Sequence, residues 1–237
     1  MIHSELLTFL RGIKQNNNKE WYEEHKDEYN VLRQEFTQLL GQIRDEVITF
    51  DTAIARNHKK GIETIKVFRL HRDARFSRNK AKYKTTLSGL ISADIKDPTE
   101  PVYYFAIAPD DKSFMGGGIK MPDRLHLDTM RGYIATHHKK IQKLLSDPTL
   151  EYYFPQGLSD AYKLKKAPQG YDVAHPGIDL LRHKDFTIGC GLSDTDINSK
   201  HIKTDVVTAF ASLQPINAVL RKAGASTPQA HTFEYLE

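Results

Sequence analysis

Apolar residues recur through the first fifty positions at three- and four-residue spacings, the period of a helix with one buried face. Leu6, Leu7, Leu10 and Ile13 form such a stripe behind Ser4, a natural N-cap. Asn16-Asn17-Asn18 interrupts it, and Asn18 is well suited to cap a second helix. From Lys19 the stripe resumes through Trp21, His25, Tyr29, Leu32, Phe36, Leu39, Ile43 and Val47. This predicts one long amphipathic helix packed across a sheet, with Glu23, Glu24, Asp27 and Arg33 on its wet side. Asp51 to Gly61 is polar and reads as a connection. The period then changes. Ile65 to His71, Thr85 to Ile95, Val102 to Ala108 and Ser113 to Lys120 read as strands, the third most clearly because of Tyr103, Tyr104 and Phe105. Asp97-Pro98-Thr99-Glu100-Pro101 and Pro109-Asp110-Asp111-Lys112 supply turns. Arg72 to Tyr83 is too charged and aperiodic for a core element and reads as a loop.

A second long helix is predicted from Pro122 through Leu125, Leu127, Met130, Ile134, Ile141, Leu144 and Leu145, stopped by Asp147-Pro148. Residues 149–171 read as irregular, with a short strand around Tyr162 to Lys165. His175-Pro176 precedes a short helix through Leu180 and Leu181, and Asp185 to Gly189 reads as a strand. Ser193 to Ile197 has the form of a capping box. A final helix from Thr204 to Leu220 turns Val207, Phe210, Leu213 and Ile216 inward, with Pro215 as a kink site. Strands bunched between residues 64 and 120 with long helices around them favour an antiparallel arrangement over an alternating parallel one. The expected fold class is α+β: one domain over residues 1–223, an antiparallel sheet flanked by long amphipathic helices, and a flexible tail over 224–237.

Composition narrows the function classes. The 237 residues can bury a sizeable core, and 39% hydrophobic with 27% charged residues is a globular rather than a disordered balance. The single cysteine, Cys190, excludes an intramolecular disulfide and a cysteine-based zinc site and fits a reducing compartment. The N-terminal stripe carries Glu5, Arg11 and Lys14 and lacks the apolar core of a signal peptide. No apolar run approaches the roughly 18 residues that suggest a membrane span. The expectation is a cytoplasmic protein with no membrane partner. The 11 histidines include no HExxH pair, so no metal is expected. No cofactor motif is present either. Gly116-Gly117-Gly118 lacks both the dinucleotide spacing and the P-loop lysine, and Ser77 and Ser193 lack a nucleophile elbow.

Charge singles out one stretch. Arg69, Arg72, Arg75, Arg78, Lys80, Lys82 and Lys84 face only one acid, Asp73, so this segment carries +6 while the whole chain carries +4. Arginine offers a planar fork that matches phosphate or carboxylate, and lysine adds a point charge. Ser77 and Tyr83 add hydroxyls, and Asp73 between Arg72 and Arg75 can aim a guanidinium. Gly116, Gly117 and Gly118 either mark a bulge and a close backbone approach or present amides to an anion. The candidate anion site is therefore Arg69, Arg72, Asp73, Arg75, Ser77, Lys80, Tyr83, Lys84, Gly116, Gly117 and Gly118. The competing reading is a solvated charged loop whose arginines pair with acids of the long helices. Tyr103, Tyr104, Phe105 and Phe114 on adjacent strands are either core or a surface on which bases can stack.

Phe68-Arg69, Arg72-Asp73, Arg75-Phe76-Ser77, Lys80 and Tyr83-Lys84 carry a further signal. So do residues 16–26 (NNNKEWYEEHK), Gly116 to Gly118 and residues 168–176 (PQGYDVAHP). Together they resemble a widespread family of bacterial and fungal conserved hypothetical proteins, a domain of unknown function, over roughly Leu6 to Leu220. That family's pattern has Tyr at the position of His71 and Pro at that of Lys82, so this chain departs from it at both. The resemblance implies the fold and the choice of site and carries no reaction. Three functions remain as expectations: a module binding a phosphate-bearing small molecule or nucleic acid, an enzyme acting on a phosphorylated or carboxylated small molecule, or a structural or partner-binding protein with internally paired arginines.

Overall fold

The computed structural model describes residues 2–72 and 81–225, with side chains from Ser4 onward. Five strands form one antiparallel sheet in sequence order: β1 (Ile65–Val67), β2 (Leu87–Ser92), β3 (Val102–Ile107), β4 (Ser113–Ile119) and β5 (Phe186–Leu192). Helices α1 (Ile2–Gln15), α2 (Lys19–Glu24), α3 (Lys26–Phe50) and α4 (Thr52–Lys59) precede it. Helices α5 (Arg124–Leu145), α6 (Pro148–Tyr153) and α7 (Ile178–Leu181) lie between β4 and β5, and α8 (Asp194–Ile197) and α9 (Ile202–Gly224) complete the described chain. The fold is a single antiparallel α+β domain, as the strand and helix order implied. No helix among the described residues is long and apolar enough to cross a membrane.

Register decides which side chains are buried. Ile91 pairs with Tyr103, and Phe105 pairs with Gly89 and Met115. Leu87, Ile91, Tyr103, Phe105, Met115 and Ile188 consequently share one face, and all are buried. Helices α3 and α9 cover this inner face: Phe36 stands 6.1 Å from Phe105 and Phe210 stands 5.2 Å from Tyr103, ring centre to ring centre. Helix α1 packs on α3, and α5 packs on α9.

Several elements differ from the sequence pattern for local reasons. The helix expected from Lys19 to Val47 breaks at His25 (φ −107°, ψ 16°), whose ring stacks on Trp21 at 3.9 Å and whose Nδ1 donates to the Trp21 carbonyl at 2.8 Å. A side chain that takes the carbonyl four residues back competes with the helical bond there. The stretch from Asp51 to Gly61 is not a plain connection. Asp51 Oδ1 accepts the amides of Ala53 at 3.1 Å and Ile54 at 3.3 Å and so caps α4. Asp123, not Pro122, caps α5, and Pro148 opens α6 instead of only closing α5. Tyr162 to Lys165 is not a strand; Leu158 bridges Ile188 at the free edge of β5. The capping box at Ser193 forms with Asp196. Gly224, expected to start the tail, is still in α9 against His126, and residues 226–237 lie outside those described.

A buried polar cluster joins the two covering helices to the sheet. Asp51, at the end of α3, accepts the Tyr103 hydroxyl at 2.9 Å, and Arg221 of α9 stands 3.6 Å from the same carboxylate oxygen. Arg221 Nε also donates to Glu100 at 2.8 Å. Burial first, and then Asp51, raise the Tyr103 phenol well above its ordinary value, so it stays a neutral donor. Asp51→Ala should therefore cost roughly 3–5 kcal/mol in urea unfolding, because it removes a cap, strands a buried hydroxyl and takes away one of the two carboxylates beside Arg221. Tyr103→Phe should cost only ~1–3 kcal/mol. A loss for Asp51→Ala within about 0.5 kcal/mol, as at a neutral surface site, would contradict this role.

Candidate functional site

The cationic stretch begins as a regular hairpin and then bends. Beyond the pair Val67–Gly89 the next bridge is His71–Tyr83, so residues 68–70 face residues 84–88 and the second arm bulges. Backbone bonds hold it: the Phe68 amide to Ser88 at 2.9 Å, Lys84 to Leu70 at 2.7 Å and Arg72 to Lys82 at 3.0 Å. Leu70 and Tyr83 are buried, and the Tyr83 ring stacks on Tyr22 of α2 at 4.3 Å. The three asparagines take separate roles. Asn16 Nδ2 donates to the Gly12 carbonyl at 3.1 Å at the end of α1, and Asn18 accepts the Trp21 amide at 2.9 Å to start α2. Asn17 grips the hairpin, donating to the Tyr83 carbonyl and accepting the Tyr83 amide, both at 3.0 Å.

The expected site residues do not form one cluster. Asp73, Arg75, Ser77 and Lys80 lie outside the described residues. Tyr83, expected to offer a hydroxyl from the loop, is instead buried and builds the hairpin, because Tyr22 supplies an apolar ring to pair with. Arg69 is exposed and close enough to Tyr29 of α3 to act on its phenol. Arg72 is half-buried, with Nε donating to the Tyr83 carbonyl at 3.3 Å. Lys84 lies over the Phe68 ring, 5.7 Å from its centre, as Lys66 does at 5.6 Å. Gly116, Gly117 and Gly118 do not meet the hairpin. They sit on β4, with β3 and β2 between, about 10–14 Å away at the usual ~4.8 Å per strand. Added Cβ atoms there would run into the carbonyls of Ile188, Val102 and Phe186, so the glycines serve close strand packing.

The structure brings together a different set, on the sheet face opposite the helices. The register places Lys66, Leu90, Tyr104, Gly116 and Gly189 in one row across the strands; Phe68 and Ser88, joined by a backbone bond, continue into Ala106, Phe114 and Gly191 in the next. Phe68 and Tyr104 are 6.5 Å apart and tilted by 49°, and Tyr104 and Phe114 are 6.2 Å apart and tilted by 57°. Phe114 is 40% exposed, and its ring occupies the space a Cβ would need at Gly189. Beside it lies a groove of about 380 Å³ lined by Phe114, Gln156, Ser159, Asp160, Thr187 and Gly189. The Ser159 amide donates to the Thr187 carbonyl at 2.8 Å, and buried His183 donates through Nδ1 to the Ser159 carbonyl at 3.1 Å. Burial, and then Lys163, lower the His183 pKa, which favours the neutral ring. Of the four aromatics expected as core or as stacking surface, Tyr103 and Phe105 are core, and Tyr104 and Phe114 face outward. The alternation Ile65, Lys66, Val67, Phe68 held the signal for Lys66; the groove residues come from an irregular stretch with no period to read. Among the described residues no group of three His, Cys, Asp or Glu is placed to hold a metal ion.

Fold and site together define an α+β domain whose antiparallel sheet is helix-covered on one face and carries a lysine-flanked aromatic row on the other. The chain belongs to the conserved hypothetical protein family DUF2461, whose family model matches residues 5–218. Searches of curated proteins and of solved structures find no match.

The tyrosines that hold the hairpin give it a pH signature. Burial, and then the neighbouring Tyr29 and Tyr83, push the Tyr22 hydroxyl from 10.0 up to about 12. Tyr29 and Tyr83 are also raised, chiefly by burial. Above pH 10.0 the unfolded chain therefore sheds protons that the folded one keeps, and stability falls as pH rises toward about 12. Urea unfolding across this window should show that fall, and Tyr22→Phe should make it shallower. An identical slope for the variant would contradict the assignment.

Proposed function

We propose that this protein binds a phosphate-bearing ligand along the β1–β2 hairpin. The observation that carries the reading is the state of its cations. Lys66, Arg69, Arg72, Lys82 and Lys84 share one hairpin, and none makes an ion pair with a carboxylate of the described residues. Elsewhere the fold does pair its charges: Arg11 with Asp194, Lys14 with Asp110, Lys163 with Asp179 and Arg221 with Glu100. Like charges on one hairpin repel one another, and an anion relieves that repulsion. Arginines neutralised by internal acids, the structural alternative, would not leave this excess. The groove beside Phe114 is lined by none of these five.

Thermal unfolding at low salt with sodium tripolyphosphate is the test. The melting temperature should rise, with a stabilisation of about 2.7 kcal/mol once free ligand reaches ~100 times its Kd. The double variant Lys66→Glu/Lys84→Glu should lose that rise while its own stability changes by only about 0.5 kcal/mol, as surface substitutions do. No rise in the native protein, or an equal rise in the variant, would overturn the proposal.

A further inference from the structure

We infer that the phosphate-bearing ligand is a single-stranded nucleic acid laid across the outer sheet face, its bases stacked on Tyr104 and Phe114 and its backbone beside Lys66 and Lys84 at the Phe68 end. This rests on the phosphate reading above and names the ligand class. Placement comes first. The core lies on the other side of the sheet, under α3 and α9, so these three rings are not needed to fill it. Their mutual tilts of 49° and 57° mean that none lies flat on its neighbour; Lys66 and Lys84 lie over Phe68, so the ring faces left for other planar groups are those of Tyr104 and Phe114. Relief matters next. Between the rings the outward positions include Ala106, Gly116, Gly189 and Gly191, with Phe114 lying over Gly189. Small residues give the rings a low floor on the β4 and β5 side of Tyr104, and Leu90 on β2 bounds it on the other. The glycine-rich strands thus shape the platform while packing closely against one another.

Charge sets the direction. Lys66 and Lys84 stand at the Phe68 end of the row, and Asp160 stands in the groove at the Phe114 end. Phosphates are attracted to the first end, whereas the Asp160 carboxylate at the second is already paired with Lys163 at 3.0 Å. The groove, with Gln156, Ser159 and Thr187 beside Asp160, offers donors and acceptors to a base edge instead. From β1 to β5 the face crosses four inter-strand steps, about 19 Å at ~4.8 Å each. Within that width Phe68, Tyr104 and Phe114 follow one another at 6.5 and 6.2 Å, a row longer than one base and suited to a short strand: sheet platforms of this kind stack two or three bases. A duplex hides its base faces and cannot stack on the rings.

The experiment is fluorescence anisotropy with labelled oligocytidylate of about ten nucleotides, within the ~4–16 nucleotides that single-strand sites take up, against the same strand annealed to oligoguanylate. The single strand should bind more tightly than the duplex, with affinity falling steeply as salt rises. Tyr104→Ala and Phe114→Ala should each weaken binding roughly 5- to 150-fold, the worth of one stacked base, whereas Tyr104→Phe and Phe114→Tyr should keep it. The tripolyphosphate shift should survive all four substitutions. Equal binding by both alanine variants and the native protein, or a duplex bound as tightly as the single strand, would overturn the stacking inference. So would absent oligonucleotide binding alongside an intact tripolyphosphate shift; in that case the phosphate reading stands alone. Loss of both signals in the native protein would overturn both.

Discussion

Among the described residues the long helices α3 and α9 cover one face of the sheet, and the other elements are arranged around that asymmetry. Helices α3 and α9 reach the same side, where Phe36 meets Phe105 and Phe210 meets Tyr103. Because strand side chains alternate, every residue that serves this core has neighbours committed to the other face. Tyr103 fills the core and Tyr104 cannot. The cluster of Asp51, Tyr103 and Arg221 ties the end of α3, the sheet and α9 together at one buried point, so the covering layer is held by polar bonds as well as apolar contact. Such a cluster is sensitive to the loss of any one partner, since the groups left behind are buried and unpaired.

The cationic hairpin is held by packing and backbone bonds instead of by counter-charges. Tyr22, Tyr83 and Asn17 fix its position, and the bulge between Tyr83 and Gly89 bends it away from the regular ladder. Its cations are spread around it: Lys66 and Lys84 over Phe68, Arg69 near Tyr29, Arg72 against the Tyr83 carbonyl. His71 joins the same packing: its ring edges onto Tyr22 and Tyr83.

Much of the fold was legible along the chain, because helix and strand periods differ and because caps are local. Asn18 and Ser193 start their helices as their side chains imply. The turn at Asp110 and Asp111 takes up the left-handed backbone that a tight hairpin needs, at φ 65° and 57°. What stayed hidden was tertiary. Nothing in the period of α2 and α3 announces that His25 will turn back onto Trp21. The short α4 has one buried residue, Ile54, too few to stand out from a polar connection. The site was legible in part. The charge excess identified the hairpin, but a charge count carries no direction, so it grouped Arg69 with Lys84 although they meet different neighbours. Tyr83 read as a loop hydroxyl because its partner, Tyr22, is distant in sequence. The meeting of Phe68, Tyr104 and Phe114 depends on strand order and register, which adjacent hairpins suggest and only the paired sheet fixes.

If the open face of the sheet, not the helical side, is the binding surface, a ligand should perturb that face alone. Amide chemical-shift mapping with isotope-labelled protein and unlabelled oligocytidylate tests this. Saturable shifts are expected at Lys66, Phe68, Tyr104, Phe114, Thr187 and Gly189, with α5 and α9 unmoved. Shifts confined to the helices, or spread evenly over the surface lysines without saturation, would contradict it.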